Sequence, residues 1–478
     1  MKRKANVDYQ QVGKEYLEHR QLRKGAAGWV LLAGLGVAYV ISGDFAGWNF
    51  GLAEGGWGGL LIATVLMATM YTCMVFGLAE LASAIPVAGA GYGFARRALG
   101  PLGGFATGTA ILIEYAIAPA AIATFIGGYV EALGLFGLTS SWPVYLACYV
   151  IFVGIHLYGV GEALRLTMVI TAIAVVALVV FVIAMIPQFS ADKLFDIVPT
   201  SAAGANEFIP FGYAGVLGAL VYGIWFFLAV EGVPLAAEEA RDPQKDMPRG
   251  IITAMLILLG FAALMLVFAP GGAGSSTIAN SDNPLPEALR TALGGGTWVA
   301  DFVNYVGLAG LVASFFSIVY AYSRQLFALS RAGYLPRFLS VTGSRKTPYL
   351  ALIVPATVGF LLAAITKNGA LLINIAVFGA TVSYVLMMLA HIVLRVREPG
   401  LVRPYRTPGG IVTTSVALVL AVAAVIATFI VDELAAAITA GIFVIAIAYF
   451  WFYSRHHLVA SAPEEEFAAI HQAESELS

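Results

Sequence analysis

What most narrows the fold of this chain is a succession of apolar stretches, each about 18 residues or longer, between residues 26 and 454. A stretch of that length crosses roughly 30 Å of hydrocarbon as an α-helix. Helix is the natural choice, because no water is present at that depth to satisfy free backbone groups. Charged residues make up only 11% of the chain and mean hydropathy is +0.86. A soluble domain carries about a quarter charged residues. The chain therefore reads as an all-α polytopic membrane protein. Twelve transmembrane helices are expected, near 26–54, 57–84, 101–131, 142–159, 162–187, 212–238, 249–269, 298–330, 349–366, 369–395, 410–431 and 434–454.

The cations give this array a direction. Of the 26 Lys and Arg, only Lys193, Arg290 and Lys367 fall in one set of alternate loops; the others lie in the tails and the opposite loops. Positive residues are retained on the cytoplasmic side, so both termini are expected there, in a bacterial inner membrane or an equivalent one. Arg96, Arg97, Arg241, Lys245 and Arg249 read as topology determinants, and His156 and His391 as interfacial residues. Residues 1–25 are basic but lack the apolar core of a signal peptide, and read as a cytoplasmic tail. Residues 456–478, with His456, His457 and Glu464-Glu465-Glu466, read as a solvated, partly disordered end. Cys73 and Cys148 sit inside apolar runs and read as small buried residues, so no disulfide, metal or cofactor is expected.

Two spans are interrupted. The first carries Val40-Ile41-Ser42-Gly43-Asp44-Phe45-Ala46-Gly47, where glycines let the backbone leave helical geometry and an acid lies at membrane depth. Irregular backbone at that depth survives only where it is buried in protein or lines a cavity, and an intramembrane carboxylate faces a cavity or a partner. The sixth carries Glu231, Gly232 and Pro234 after Trp225-Phe226-Phe227. Pro234 removes a backbone donor and crowds the carbonyl of Val230. Interruptions five spans apart suggest two five-helix repeats, the second inverted, with a substrate held between them. The expected divisions are the first repeat at 26–187, the second at 188–396 and two further helices at 397–455.

Three motifs carry a resemblance. Glu80-Leu81-Ala82-Ser83-Ala84-Ile85-Pro86-Val87-Ala88-Gly89-Ala90-Gly91-Tyr92, with Arg96-Arg97-Ala98-Leu99-Gly100-Pro101, resembles the end of the second span in amino acid–polyamine–organocation permeases. Ala236-Ala237-Glu238-Glu239-Ala240-Arg241-Asp242-Pro243, running on to Met247-Pro248-Arg249-Gly250, resembles that superfamily's loop after the sixth span. Ser323-Arg324-Gln325-Leu326-Phe327-Ala328-Leu329-Ser330-Arg331-Ala332-Gly333-Tyr334-Leu335-Pro336 resembles its pattern after the eighth. Residues 42–51 and 330–336 are most similar to the ethanolamine permeases within it. The resemblance implies a LeuT-like 5+5 inverted repeat with discontinuous helices 1 and 6, two added C-terminal helices, and uptake of a small amine.

Two departures from the superfamily pattern bear on substrate. Where amino acid permeases generally have Gly-x-Gly, whose backbone amides hold a substrate carboxylate, this chain has Ser42-Gly43-Asp44. Two unit charges 4 Å apart interact by about 4 kcal/mol at an effective dielectric near 20. Even a fraction of that repulsion excludes a free amino acid, while the same carboxylate attracts an ammonium. In the fifth span, Ala174 falls where several superfamily members carry a lysine linked to proton coupling, so coupling by that route is in doubt.

Ser42, Gly43, Asp44, Trp225, Phe226, Phe227 and Glu231 form the candidate substrate-binding set. Asp44 suits an ammonium but also the cap of a half-helix. Trp225, Phe226 and Phe227 offer a cation–π face worth up to about 2 kcal/mol, yet adjacent residues on a helix diverge, so one or two at most line a cavity. Glu231 serves substrate contact or, as an acid general to the superfamily at this place, structure or gating. The candidate coupling or gating residues are Glu114, Tyr115, Ser314 and Ser317. Glu114 suits a proton site or a tie to a neighbouring helix involving Tyr115; Ser314 and Ser317 suit sodium ligation or, in the favoured reading, helix–helix hydrogen bonding.

The expected function is secondary active import of ethanolamine or a similar small cationic amine, coupled to H+ or Na+. The alternatives are an amino acid permease or exchanger, and an amine sensor without transport. No nucleophile elbow, paired-metal pattern or phosphate-cradling loop suggests an enzyme.

Overall fold

The computed structural model describes residues 7–10, 12–20, 25, 27–134, 140–158, 160–294, 298–463 and 465. A short helix α1 (Lys14–Glu18) precedes α2 (Trp29–Val40), the four-residue α3 (Ser42–Phe45) and α4 (Phe50–Ala84). Next come α5 (Gly91–Ala132), α6 (Trp142–Tyr158), α7 (Val160–Met185), α8 (Gly212–Trp225) and α9 (Pro243–Ala273). Two short helices, α10 (Ser275–Ile278) and α11 (Pro284–Leu293), lead to α12 (Trp298–Arg331), α13 (Tyr349–Thr366), α14 (Gly369–Arg397), α15 (Ile411–Val431) and α16 (Glu433–Phe452).

Among the described residues, ten helical segments are long and apolar enough to cross a membrane, and Trp29–Phe45 and Trp142–Tyr158 are apolar but shorter. The outward faces of these helices stay apolar: Val150, Ile183, Leu256, Ile365, Val419 and Ile445 are all exposed. Such a surface suits lipid, not water. Backbone bends at Gly56 (φ 67°) and Gly100 (φ 83°) divide α4 and α5, which explains why spans starting at 57 and 101 could be read from the sequence.

Helix packing sorts into two groups. α2 packs chiefly on α9, and α4 on α8 and α9; α5 packs chiefly on α14 and α12, with α6 on α13. Both interruptions belong to the first group, and α3 also packs on α12 of the second.

Two expectations fail. The described part of the C-terminal segment, residues 456–463 and 465, is docked, not solvated: Leu458–Val459 (β2) pairs in parallel with Tyr9–Gln10 (β1), and Glu465 is buried. Buried partners for its backbone and carboxylate, supplied from distant parts of the chain, outweigh the local polarity; Glu464 and Glu466 lie outside the described residues. His156 and His391 are buried too. The His156 ring stacks on Phe316 at 4.1 Å and its Nε2 meets the Phe316 carbonyl at 2.8 Å. His391 Nδ1 meets the Thr414 hydroxyl at 2.9 Å.

Candidate functional site

The first interruption has two parts. α2 passes through Ile41 into α3, which ends at Ala46 in an extended conformation (φ −160°, ψ 159°). Gly47 follows at φ 94°, a left-handed conformation that costs glycine little. The fully non-helical stretch is therefore Ala46–Gly47, at the far edge of the expected break. Asn49 secures it: its Oδ1 accepts from the Gly47 amide at 3.0 Å, and its Nδ2 donates to the Ile278 and Ser281 carbonyls at 2.7 and 2.8 Å.

The second interruption falls earlier than Pro234 implied. α8 stops at Trp225, Ala229 takes φ 79°, and a 3-10 segment runs over Val230–Glu239 with Pro234 inside it. The looser winding accommodates the proline, and the break precedes it.

Close approach joins the two. A Cβ on Gly43 would lie 2.5 Å from the Trp225 carbonyl oxygen, so only glycine lets the two backbones touch. The Trp225 indole Nε1 donates to the Ala46 carbonyl at 2.9 Å, and the Tyr129 hydroxyl donates to that of Phe45 at 3.0 Å. These bonds satisfy carbonyls that the broken helix leaves without partners.

Beside the contact lies a cavity of about 10 Å³, lined by Tyr39, Ser42, Ala118, Ile122, Trp225 and Leu228 among others. That is room for about one water. Of the three adjacent aromatics, Trp225 lines the cavity, Phe226 stacks on Trp48 at 5.3 Å, and Phe227 packs against Tyr71 at 5.5 Å.

Ser42 and Ser314 come together. The Ser42 hydroxyl donates to Ser314 Oγ at 2.8 Å, and Ser314 donates to the Tyr39 carbonyl at 2.5 Å. Ser317 instead bonds to carbonyls of its own helix, at Ala313 and Ser314. Asp44 is fully buried, and neither carboxylate oxygen has a hydrogen-bond partner among the described residues. It lies in the interruption but not among the residues lining the small cavity. A carboxylate so placed is expensive unless a cation or donor joins it.

Glu114 and Glu231 meet a short distance away. The Tyr115 hydroxyl donates to Glu231 Oε1 at 3.0 Å. Glu114 lies beside Glu231 and Tyr384, and Tyr384 meets Tyr71 at 2.8 Å between hydroxyls. Ala174, in α7, is fully buried. Among the described residues, no three or more His, Cys, Asp and Glu gather as a metal site would require.

Sequence reasoning missed the seal toward the end of the molecule that carries both termini. Glu239, at the end of the 3-10 segment, accepts from Arg324 Nε and Nη2 at 3.0 and 2.9 Å and from the Tyr320 hydroxyl at 2.7 Å. Glu238 accepts from Arg331 Nη2 at 2.6 Å and from the Ala88 amide at 3.0 Å. All four charged residues stood inside the recognised motifs, and opposite charges in two separate motifs were the available signal. Tyr39 and Tyr129 gave none, because they act through backbone carbonyls that no pattern reveals.

Comparison with known proteins agrees with this architecture. Residues 30–454 match the family model for amino acid permeases. The branched-chain amino acid permease BcaP of Bacillus subtilis is 31% identical over 375 residues, covering 73% of this chain and 77% of the relative. A methylthioribose transporter of the same organism is 28% identical, covering 77% and 79%. An uncharacterized transporter of Rhizobium meliloti is 29% identical, covering 83% and 85%. This chain belongs to the amino acid permease family, within the amino acid–polyamine–organocation superfamily, and is an integral membrane transporter.

Proposed function

We propose that this permease imports ethanolamine, or a similar small primary amine lacking a carboxylate, by alternating access. The observation that carries the reading is Asp44: a fully buried carboxylate, without a hydrogen-bond partner among the described residues, in the broken segment of the first span. An ammonium supplies the opposite charge and the donors that the site needs. A free amino acid would bring a second carboxylate beside the first. Ser42 offers a hydroxyl to the polar end of the amine, and Trp225 an indole face. Phe226 and Phe227 back this wall; Gly43 lets it close.

In this reading the twelve spans form two inverted five-helix repeats, 26–187 and 188–396, followed by two helices at 397–455, with both termini in the cytoplasm of a bacterium. Ser42 and Ser314 then tie the first span to the eighth. Glu114 and Glu231, two buried carboxyl groups facing each other beside Tyr115, form the coupling site, and the coupled ion is a proton. Ser317, bonded within its own helix, takes no part in coupling.

An amino acid permease is the second reading, favoured by the relatives named for branched-chain and aromatic amino acids. Uptake of radiolabelled ethanolamine into proteoliposomes separates the two. Excess unlabelled ethanolamine should abolish the signal and alanine should leave it. Competition by alanine would favour the second reading.

A further inference from the structure

The chain termini meet at one polar cluster on the end of the molecule that carries them. Arg96, at the start of α5, donates from Nε to Glu465 Oε1 at 2.7 Å and from Nη2 to Oε2 at 2.5 Å. Glu465 also accepts from the Tyr9 hydroxyl at 2.9 Å and the Tyr334 hydroxyl at 3.0 Å. It is 1% exposed and Arg96 is 7% exposed. Burial, with the Glu465 carboxylate beside it, pushes the Tyr9 phenol up to about 12, so Tyr9 remains a donor at physiological pH.

Around the cluster, Tyr9–Gln10 pairs with Leu458–Val459, the Asp8 amide donates to the Arg455 carbonyl at 2.7 Å, and the Val459 amide donates to that of Ala332 at 3.0 Å. Farther along, the Tyr16 hydroxyl donates to the Arg331 carbonyl at 2.9 Å, and Arg20 Nε donates to Ser340 Oγ at 2.9 Å.

These contacts cross between the two packing groups. The N-terminal segment leads into α2, which packs chiefly on α9. Its docking partners belong to the other group: the start of α5, the loop after α12 and the segment after α16. Buried charge-assisted bonds of this kind are short and among the strongest a protein makes. They tether the segment ahead of α2 to helices that α2 must part from if the site is to open on this side.

We propose that the two termini form a latch across the terminal side, so that docking of Glu465 on Arg96, Tyr9 and Tyr334 restrains opening there. The latch rests on the alternating-access reading but not on the identity of the substrate. Its effect is autoinhibitory: undocking raises the fraction of time the terminal side stands open.

The test is thiol accessibility in the full-length protein with Cys73 and Cys148 replaced by Ala. A reporter Ala237→Cys sits at a fully buried position beside Glu238 and Glu239. Labelling by a maleimide applied to the terminal side should quicken by roughly tenfold in Glu465→Gln and in Tyr9→Phe, the factor that about 1.4 kcal/mol gives. The exchange Arg96→Glu with Glu465→Arg should restore slow labelling. Removal of residues 458–478 should quicken it further. Unchanged labelling in monodisperse Glu465→Gln and Tyr9→Phe protein would overturn the latch. So would fast labelling in the charge exchange equal to that of either single change. Because the readout needs no substrate, failure of the ethanolamine reading leaves this result intact, and the reverse also holds.

Discussion

The hydroxyl of Ser42 donates to that of Ser314, 272 positions away in sequence, and the Ser314 hydroxyl donates in turn to the Tyr39 carbonyl. One side chain of α12 thus supports both the last turn of α2 and the start of α3. Ser314→Ala removes both bonds and leaves a buried carbonyl and hydroxyl short of partners, at about 1–3 kcal/mol. The purified variant should melt several degrees lower in detergent and take up substrate more slowly. Wild-type melting would show that the relay does not hold the interruption together.

Gly43 is the contact point of the two broken segments. A methyl group there would press on the Trp225 carbonyl at 2.5 Å, and backbone on both sides leaves nothing to move aside. Gly43→Ala should therefore fold and reach the membrane but fail to close around substrate, losing most uptake. The check is uptake normalised to surface-expressed protein.

Glu239 and Arg324 are both buried, so removing one strands the other. Arg324→Met should destabilise the protein by about 3–5 kcal/mol, the cost of breaking a buried pair. Arg324→Met combined with Glu239→Leu should recover part of that loss. Thermal melting of the two variants, compared at equal detergent concentration, reads the difference.

Glu114→Gln removes one member of the facing carboxyl pair while keeping its shape. Accumulation driven by an imposed pH gradient should fall to the level of simple equilibration, while exchange of labelled for unlabelled amine continues. Gradient-driven accumulation at the wild-type level would remove Glu114 from coupling.

Much of the fold was legible because hydrophobic length and glycine bends act locally. The span expected at 349–366 is α13 (Tyr349–Thr366), and that at 298–330 is α12 (Trp298–Arg331). The interruptions were legible as regions but not as coordinates. Pro234 marked the sixth span, yet the chain turns at Ala229 and absorbs the proline in a 3-10 segment. Winding depends on what packs against a segment, and here the partners are α2 and α9. Phe226 and Phe227 were indistinguishable from Trp225 in sequence; the Trp48 ring from the turn after α3 and the Tyr71 ring from α4 decide which of them reach the cavity. The docked C-terminal segment lay furthest from view. Its local composition is polar, and Arg96, Tyr9 and Tyr334, which bury Glu465, come from three distant places.

The most direct test of the account is radiolabelled ethanolamine uptake by Asp44→Asn beside the wild type, in proteoliposomes holding equal amounts of protein. Asparagine keeps the size of the side chain and removes its charge. Pairing between Asp44 and the ammonium predicts a loss of at least roughly thirtyfold in uptake at low substrate concentration, about 2 kcal/mol of a buried charge pair. Full uptake by Asp44→Asn would contradict it, and the acid in the first span would then be structural.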